Sequence, residues 1–560
     1  MQVKSLTLIC VQTVIFMLGF SMSQAATVAI NGATEYQTIQ GFGCQMESHD
    51  SSVNGSGYAN DTAFWDIFFN DIGVSFVRTG AASDTGLGSY LSPFYSEEIW
   101  TTYRWAKRYG QTLLGGLARP KPELKDCPYI QGGKLLPEFY DDFAYFTIDM
   151  INIWEDSTGM TFNVYTPFAE PDLNEPCDST GPYNRLSMDF SSYLAYLKVA
   201  APIIKAAKPN IKIYVGLSWN VQNSVNYANL ILADTAARRW VDGLAANGYG
   251  TELGKTTPQY WQALANLARQ YNITSIWVPE VSHCCGNKPA DSAGLVMAGW
   301  IHDALTIGNA TMWQMLLGIE TGSTGVIKGL IYSKNWPCPG GVCRFSSNGI
   351  TKDGYAFRQF AHWVRPGAIR IEAISSDTND VKVSAYKHPL ESVFTIVAIN
   401  PATSNKTANF SIANLDGLSS LNAVRTSTNE RGVDLGAIAV TGNSFSYVLP
   451  SRSITTFAGN IGAGPTIAEQ GGAIGNKSLE ILVSPNPFNP KTTVTIQGRD
   501  PAVNLTVSIY DVTGKFIESL EPLSNQNVFV WDAGSLRSGL YIVKVKAGKR
   551  ILTKAVTLLK

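Results

Sequence analysis

The chain has 560 residues, 45% of them hydrophobic and 16% charged, with a formal net charge of −1. That length exceeds what one hydrophobic core sustains, so two or more domains are required. The composition excludes a disordered chain, and the balanced charge, with no basic patch, excludes nucleic acid as a partner. The 13 Trp, 24 Tyr and 24 Phe fit either a large core or flat platforms for the apolar faces of sugar rings.

Residues 1–25 read as an export signal. Lys4 precedes an apolar run over residues 6–20, and Ser21 to Ala25 ends in a small-x-small pattern, which places cleavage after Ala25. The apolar run is short for a bilayer span, and no other stretch is long enough, so a mature chain without a membrane span is expected. Removing the signal takes Cys10 and leaves Cys44, Cys127, Cys177, Cys284, Cys285, Cys338 and Cys343, an odd number. The loop CPGGVC, residues 338–343, is short enough to close on itself as a disulfide, and export permits this. No CxxC pair or histidine cluster accompanies these cysteines, so no metal is expected; His283, three residues past Glu280 and beside Cys284, is the weak candidate.

Residues 27–40 alternate apolar and polar and predict a strand that enters a tight turn at Gly41-Phe42-Gly43. A helix over 60–70 follows, with Phe64, Trp65, Ile67, Phe68 and Phe69 on its apolar face. A strand over 74–78 ends at Arg78. A helix over 97–109, a strand over 112–117 and a helix over 138–155 lead to FNVYTPFAE, residues 162–170, an apolar run that ends on Glu170. The pattern continues as helix 187–207, strand 211–217 before Trp219, helix 226–239, and strand 240–246 before Asn247-Gly248-Tyr249. Helix 258–270 precedes the strand 273–279, which ends at Glu280; helix 293–308 precedes the strand 310–316, which bears Trp313. Regular alternation of this kind implies parallel strands with right-handed crossovers. Eight repeats between residues 36 and 365 predict an α/β fold, a (β/α)8 TIM barrel, with Glu170 at the end of the fourth strand and Glu280 at the end of the seventh.

After Arg365-Pro366-Gly367 the period changes to two, which predicts an all-β sandwich. The expected organisation is a signal at 1–25, a barrel at 26–370 and a sandwich at 371–459 joined by the strand 27–35. A Gly-rich linker at 460–478 and a small β-sandwich domain at 479–560 complete it.

Two carboxylates at strand ends, 110 positions apart in sequence, suit glycoside hydrolysis, in which one carboxyl protonates the leaving oxygen and the other meets the anomeric carbon. Glu175 repeats the Glu-Pro pattern of Glu170, but Glu170 directly follows the strand and is preferred. Arg78 is either a partner for one carboxylate or half of a structural ion pair beneath the barrel mouth. Trp219, Tyr249, Trp313 and Trp336, with Asn247, are candidate sugar contacts or packing residues. No cofactor is expected, because hydrolysis needs only water and the two acids. The competing class is a non-catalytic carbohydrate-binding protein on the same fold; the presence of both Glu170 and Glu280 favours the enzyme.

These residues carry a resemblance. Gly41-Phe42-Gly43, the segment Gly73 to Arg78, the segment Lys134 to Tyr140, Trp277-Val278-Pro279-Glu280, and the segment His362 to Arg370 resemble glycoside hydrolase family 30 over residues 36–455. The resemblance implies a retaining mechanism with Glu170 as acid/base and Glu280 as nucleophile, about 5–5.5 Å apart. It also implies a polysaccharide or oligosaccharide substrate of xylan, β-1,6-glucan or galactan type. The chain departs from that family at Ala169, where an Asn usually contacts the sugar 2-hydroxyl. It departs also at Pro279, usually Thr; at Asn247, commonly His; and at residues 115–120, where a Trp-Ser-Pro-Pro segment is replaced. The segments 485–490, 510–515 and 539–544 resemble the sorting domain of the type IX secretion system of Bacteroidetes-like bacteria. That implies a secretion-machinery partner and a secreted or surface-attached product of a Gram-negative cell.

Overall fold

A computed structural model describes residues 25–45, 61–78, 93–111, 114–116, 120–129, 132–173, 176–177, 186–288, 291–292, 294–320, 329–332, 337–338, 341–342, 349–461, 480–484, 486, 488–497, 505–511, 515–521, 528–547 and 550–559. The chain forms two compact units, Met1–Gly464 and Pro465–Lys560.

The first unit begins with β1 (Ala26–Thr38) and then builds a barrel of eight parallel strands. These are β2 (Gly41–Gln45), β3 (Phe76–Arg78), β4 (Leu114–Gly116), β5 (Phe162–Tyr165), β6 (Lys212–Val215), β7 (Gly243–Ala245), β8 (Ile276–Val278) and β9 (Met312–Glu320). They pair in the order β3-β2-β9-β8-β7-β6-β5-β4, and β3 lies against β4 to close the ring. Glu170 therefore follows the fourth barrel strand and Glu280 the seventh, as the alternation predicts. Phe76, Val164, Tyr214, Leu217, Ala245, Trp277 and Met312 fill the lower barrel interior. Trp277 packs edge-on against Phe76 at 5.0 Å and Tyr214 at 4.9 Å.

Gly41-Phe42-Gly43 is not a turn but the first barrel strand, which corrects the expectation. A Cβ on Gly41 would lie 2.5 Å from Ser75 Oγ, and one on Gly43 would lie 2.4 Å from the Phe76 carbonyl oxygen. These glycines let β3 approach closely; a close approach and a turn ask for the same residue. Phe42, between them, points outward against Phe357 at 5.9 Å.

The helices cover the outer face of the barrel. Helix Tyr140–Thr158 starts from a 3-10 turn led by Pro137 and buries Tyr140, Phe143, Ala144, Thr147, Ile151, Trp154 and Thr158, a stripe at three- and four-residue spacing. Gly159, at φ 63°, ends it in a left-handed cap and turns the chain into β5. Helix Phe190–Ala207 is started by Asp189, whose side chain accepts from the Ser192 backbone N–H.

Beyond the barrel come β10 (Gly329–Tyr332), parallel to β9, and a hairpin of β11 (Pro337–Cys338) and β12 (Gly341–Val342). The cysteine side chains of the CPGGVC loop lie outside the described residues. The disulfide seen is Cys127–Cys177, which closes a separation of 50 residues; neither cysteine carries a spacing signature that marks it for pairing.

The sandwich strands are β13 (Ile369–Ser375), β14 (Lys382–His388), β15 (Val393–Asn400), β16 (Lys406–Ala413), β17 (Ser420–Ser427), β18 (Val433–Ala439), β19 (Ser444–Leu449) and β20 (Ser453–Asn460). With β1 they form a nine-stranded sheet in the order β18-β17-β20-β15-β14-β13-β1-β16-β19. Alternate residues of β16 face inward, and Phe410 stacks on Phe445 at 4.4 Å. Helix Lys352–Ala361 joins barrel and sandwich: Lys352 Nζ donates to the carbonyls of Ser427 and Glu430, and Thr456 Oγ1 donates to the Gln359 carbonyl.

The second unit holds a three-stranded sheet of β21 (Glu480–Ser484), β22 (Lys491–Gln497) and β25 (Val528–Asp532). Beside it is a four-stranded sheet of β23 (Leu505–Asp511), β24 (Phe516–Leu520), β26 (Gly539–Ala547) and β27 (Arg550–Leu558). Trp531, Phe488 and Phe529 lie in its own core. No helix among the described residues is long and apolar enough to cross a membrane.

Gly73 sits at φ 90° where the chain enters β3, and a Cβ there would lie 2.5 Å from the Ala361 carbonyl carbon and oxygen. The substitution Gly73→Ala is expected to cost the first unit about 2–4 kcal/mol, because backbone strain and a backbone clash add. Calorimetry should show the first unit's transition lowered and the second's unchanged; an unshifted first transition would refute the packing.

Candidate active site

Beyond Tyr165 the β5 segment continues through Phe168 and Ala169, and the Glu170 N–H donates to the Leu217 carbonyl at 2.8 Å. Glu170 has φ 53°, a left-handed backbone that a non-glycine residue rarely adopts outside functional or strained positions. Its side chain is buried, and Asn247 Nδ2 donates to Glu170 Oε1 at 2.8 Å. Ala169 packs on the inner barrel cluster, so the small side chain faces the interior.

Glu280 follows β8, where its carbonyl accepts the Gly248 N–H at 3.0 Å. Arg78 Nη1 donates to Glu280 Oε2 at 2.9 Å and to the Pro279 carbonyl at 3.2 Å, in an ion pair whose side chains are 6% and 16% exposed. Tyr249 OH donates to the other oxygen, Oε1, at 2.8 Å. Burial pushes the Tyr249 phenol well above its ordinary range, and the charges of Glu280, Cys284 and Glu170 add to that shift, so the phenol keeps its proton and acts as a donor. Arg78 is itself held by Gln45 Oε1 at 3.4 Å and, through its carbonyl, by Tyr103 OH.

One extended segment thus serves both carboxyl groups. Asn247 and Tyr249 are two positions apart and can face the same side; one binds Glu170 and the other binds Glu280. Gly248 between them passes against Val281, whose Cγ2 would lie 2.6 Å from a Cβ at that position.

Tyr249 is therefore a hydrogen-bonding partner of Glu280 and not a sugar platform. Trp313 takes the packing alternative. On β9 Met312 belongs to the barrel interior, so the next residue points outward, and Trp313 is fully buried with its ring 6.1 Å from Phe357. Trp219 is partly buried, its backbone N–H donating to Asp172 Oδ1 at 3.2 Å, with its ring beside Gly250. Trp336 and Glu175 lie outside the described residues.

Several neighbours escaped the sequence reading. Gln45 shares its face of β2 with Gly41 and Gly43, a period-two signal. Ser282, two residues past Glu280, is another; His283 and Cys284 beyond it enter that reading only as metal ligands. His283 Nδ1 meets the Lys288 carbonyl at 2.9 Å, Nε2 lies 3.2 Å from Asp353 Oδ2, and the ring packs on Trp300 at 4.7 Å. Among the described residues no group of His, Cys, Asp and Glu is arranged to hold a metal ion.

Comparison with known proteins agrees with this architecture. Residues 367–457 match the glycosyl hydrolase family 30 β-sandwich domain, and residues 482–558 match the secretion system C-terminal sorting domain. The chain is a (β/α)8 barrel followed by a sandwich that matches the family 30 sandwich domain and by a segment that matches the sorting domain. It is 29% identical over 243 residues to glucuronoxylanase XynC of Bacillus subtilis (strain 168), across 42% of this chain and 50% of that protein. The chain spans about half the length of the curated relatives it matches. Among solved structures it resembles the family 30 subfamily 8 xylanase Xyn30A of Clostridium acetobutylicum, with TM-score 0.62 and 22% identity, over 78% of this chain and 99% of that one. It also resembles the endo-β-1,6-glucanase BT3312, with TM-score 0.58 and 18% identity, over 77% and 93%. At these identities the structures speak for the fold.

Burial alone depresses the His283 imidazole, but the Asp353 hydrogen bond and charge, with the Lys288 carbonyl, more than offset it and raise its pKa. A raised pKa stabilises the folded state below the unfolded value of about 6.5 and ceases to do so as pH rises through the folded value. Asp353→Asn should therefore lower the unfolding free energy most near pH 5.5, by about 1–3 kcal/mol, with the gap to wild type in denaturant titrations closing toward alkaline pH. A deficit that grows with pH would refute the ion pair.

Proposed function

We propose that the protein is a secreted retaining glycoside hydrolase that cleaves β-glycosidic bonds in a polysaccharide or glycoconjugate. The observation that carries this reading is the difference between the two glutamates. Glu280 accepts a donor on each oxygen, one of them from a guanidinium, which suits a nucleophile oriented toward the anomeric carbon. Glu170 is buried and accepts Asn247 on Oε1, which orients the carboxyl group to give its proton to the leaving oxygen. In the first step Glu280 attacks the anomeric carbon while Glu170 protonates the leaving group. A glycosyl ester then sits on Glu280, and its carboxylate charge is consumed as Arg78 and Tyr249 hold the group in place. In the second step Glu170, now a base, takes a proton from water, which displaces Glu280 with net retention.

The names of the related proteins make xylan the first substrate to test and β-1,6-glucan the second, with galactan after them. Trp219, partly exposed, is the substrate-facing candidate beside the two acids, whereas Arg78 and Asn247 act through the carboxyl groups they hold. Ala169 has no amide to offer a sugar 2-hydroxyl, so recognition there must come from other groups. The sorting domain supports passage through the type IX machinery of a Gram-negative bacterium, with the product secreted or held at the cell surface.

Turnover of xylan, β-1,6-glucan, galactan and aryl β-glycosides by wild type, Glu170→Ala and Glu280→Ala tests the assignment. Both variants should lose at least about 1,000-fold in kcat. Azide should restore the Glu170 variant and yield a β-glycosyl azide, whereas NMR of the wild-type reaction should show the β-anomer formed first. Binding of glycans with no turnover anywhere on the panel would instead identify a carbohydrate-binding protein. Tyr249→Phe removes one donor from Glu280 while keeping the ring, and should cost about 10–100-fold in kcat/KM. An unchanged kcat/KM would remove Tyr249 from the reaction.

A further inference from the structure

Beyond Glu280 the loop reads Val281-Ser282-His283-Cys284-Cys285-Gly286-Asn287. It is held tightly to the loop that carries Tyr249. The Gly250 N–H donates to the Cys285 carbonyl at 3.2 Å and the Glu252 N–H to the Gly286 carbonyl at 2.8 Å. Asn287 Nδ2 donates to the carbonyls of Gly248 and Ser282, both at 3.0 Å, and Asn287 Oδ1 accepts the Thr251 N–H. Cys285 is exposed at φ 58° and Cys284 is partly buried, and both are thiols here. Cys284 Sγ lies 3.0 Å from Ser282 Oγ. Ser282 Oγ lies 3.5 Å from Tyr249 OH, and Tyr249 OH donates to Glu280. A line of side-chain contacts therefore runs from the adjacent cysteines to the Glu280 carboxylate.

We propose that Cys284 and Cys285 are a covalent redox site, which closes to a vicinal disulfide in the exported protein and thereby sets the position of Ser282, Tyr249 and Glu280. An export signal and the Cys127–Cys177 bridge both place this chain where disulfides form. The oxidant is a small-molecule or protein disulfide. One Cys284 thiolate attacks it, forms a mixed disulfide and releases one thiolate; the Cys285 thiolate then attacks the Cys284 sulfur and releases the second. Two cysteine protons are given up and taken by the two departing thiolates, and two electrons pass to the oxidant. Cys284 suits the first attack: a hydrogen bond involving Cys285 lowers its pKa to about 7 against the opposing effect of burial, and the Ser282 contact helps. The closed ring contains only the intervening peptide unit. Consecutive Cα atoms are about 3.8 Å apart, below the ~4.4 Å at which ordinary disulfides begin, so the bond is strained, exposed and easily reduced. That is the character of a regulatory bond and not of a structural one.

The link to turnover rests on the glycosidase reading, whereas the disulfide itself does not. Full-length protein secreted and purified without reductant, then equilibrated with oxidised glutathione, should be treated with iodoacetamide before and after reduction. The peptide bearing Cys284 and Cys285 should be unmodified and lighter by two hydrogens before reduction, and carry a carbamidomethyl group on each cysteine after it. Alkylation of both cysteines without reductant would overturn the disulfide, whatever the protein hydrolyses. On the substrate that wild type cleaves, reduction should lower kcat/KM about 10-fold, the scale of a small displacement at the reacting groups. The Cys284→Ser/Cys285→Ser double variant should not respond, which separates this bond from Cys127–Cys177. A disulfide present in wild type with kcat/KM indifferent to reduction would overturn the coupling to Glu280.

Discussion

The carboxylate of Glu280 has two oxygens, and each is occupied by a donor from a different barrel strand. Arg78 reaches it from the end of β3, and Tyr249 reaches it from beyond β7. Both donors are buried, so their own polar groups also need partners. Arg78 finds Gln45 and the Pro279 carbonyl; Tyr249 finds Ser282. Four strand ends are thereby tied to one carboxylate. A closed barrel is the architecture that brings the ends of the second, sixth and seventh strands, with the first supplying Gln45, to one mouth while its lower interior is filled by aromatic and aliphatic packing. The arrangement is costly to disturb because removing any one donor leaves a buried partner unsatisfied.

The same economy explains the region beyond β7. Asn247 and Tyr249 lean toward different glutamates, and Gly248 allows the chain to pass against Val281 between them. A displacement of this short segment moves the environment of both carboxyl groups together. That makes the downstream loop, which holds Gly248 and Gly250 by backbone and Asn287 bonds, part of the site even though it offers no carboxylate of its own.

The barrel was legible because its signal is distributed. Each apolar run of four to eight residues between amphipathic stretches repeats the same message, and the order of the repeats places Glu170 and Glu280 on the fourth and seventh strands without any contact being known. Single residues were harder. Gly41 and Gly43 read as a turn, because a glycine required for close strand approach cannot be told from one required for a bend. Trp313 stayed open between platform and packing because a tryptophan near a strand end is apolar in either direction; only the inward placement of Met312 shows that it faces the helices. Tyr249 was found but given the wrong task, since a phenol that stacks and a phenol that donates look alike until a carboxylate is placed beside it. The Cys127–Cys177 bridge joins residues with no common motif, so spacing could not pair them.

The two ends of the first unit also depend on each other. β1 starts at Ala26, directly after the expected cleavage position, and lies between β13 and β16 of the sandwich: Val28 is opposite Ser375 on one side and Phe410 on the other. The sandwich therefore lacks a central strand until the chain's beginning and its residues beyond 369 have met, and everything between them is the barrel. Helix Lys352–Ala361 reinforces the connection, because one face contacts the sandwich through Lys352 while Arg358 pairs with Asp71 beside the entry to β3. Barrel and sandwich are thus one folding problem with high sequence separation between partners, whereas the C-terminal unit has its own sheets and its own aromatic core. The segment that matches a secretion sorting domain thus builds its core from its own strands, as a separately folding domain does.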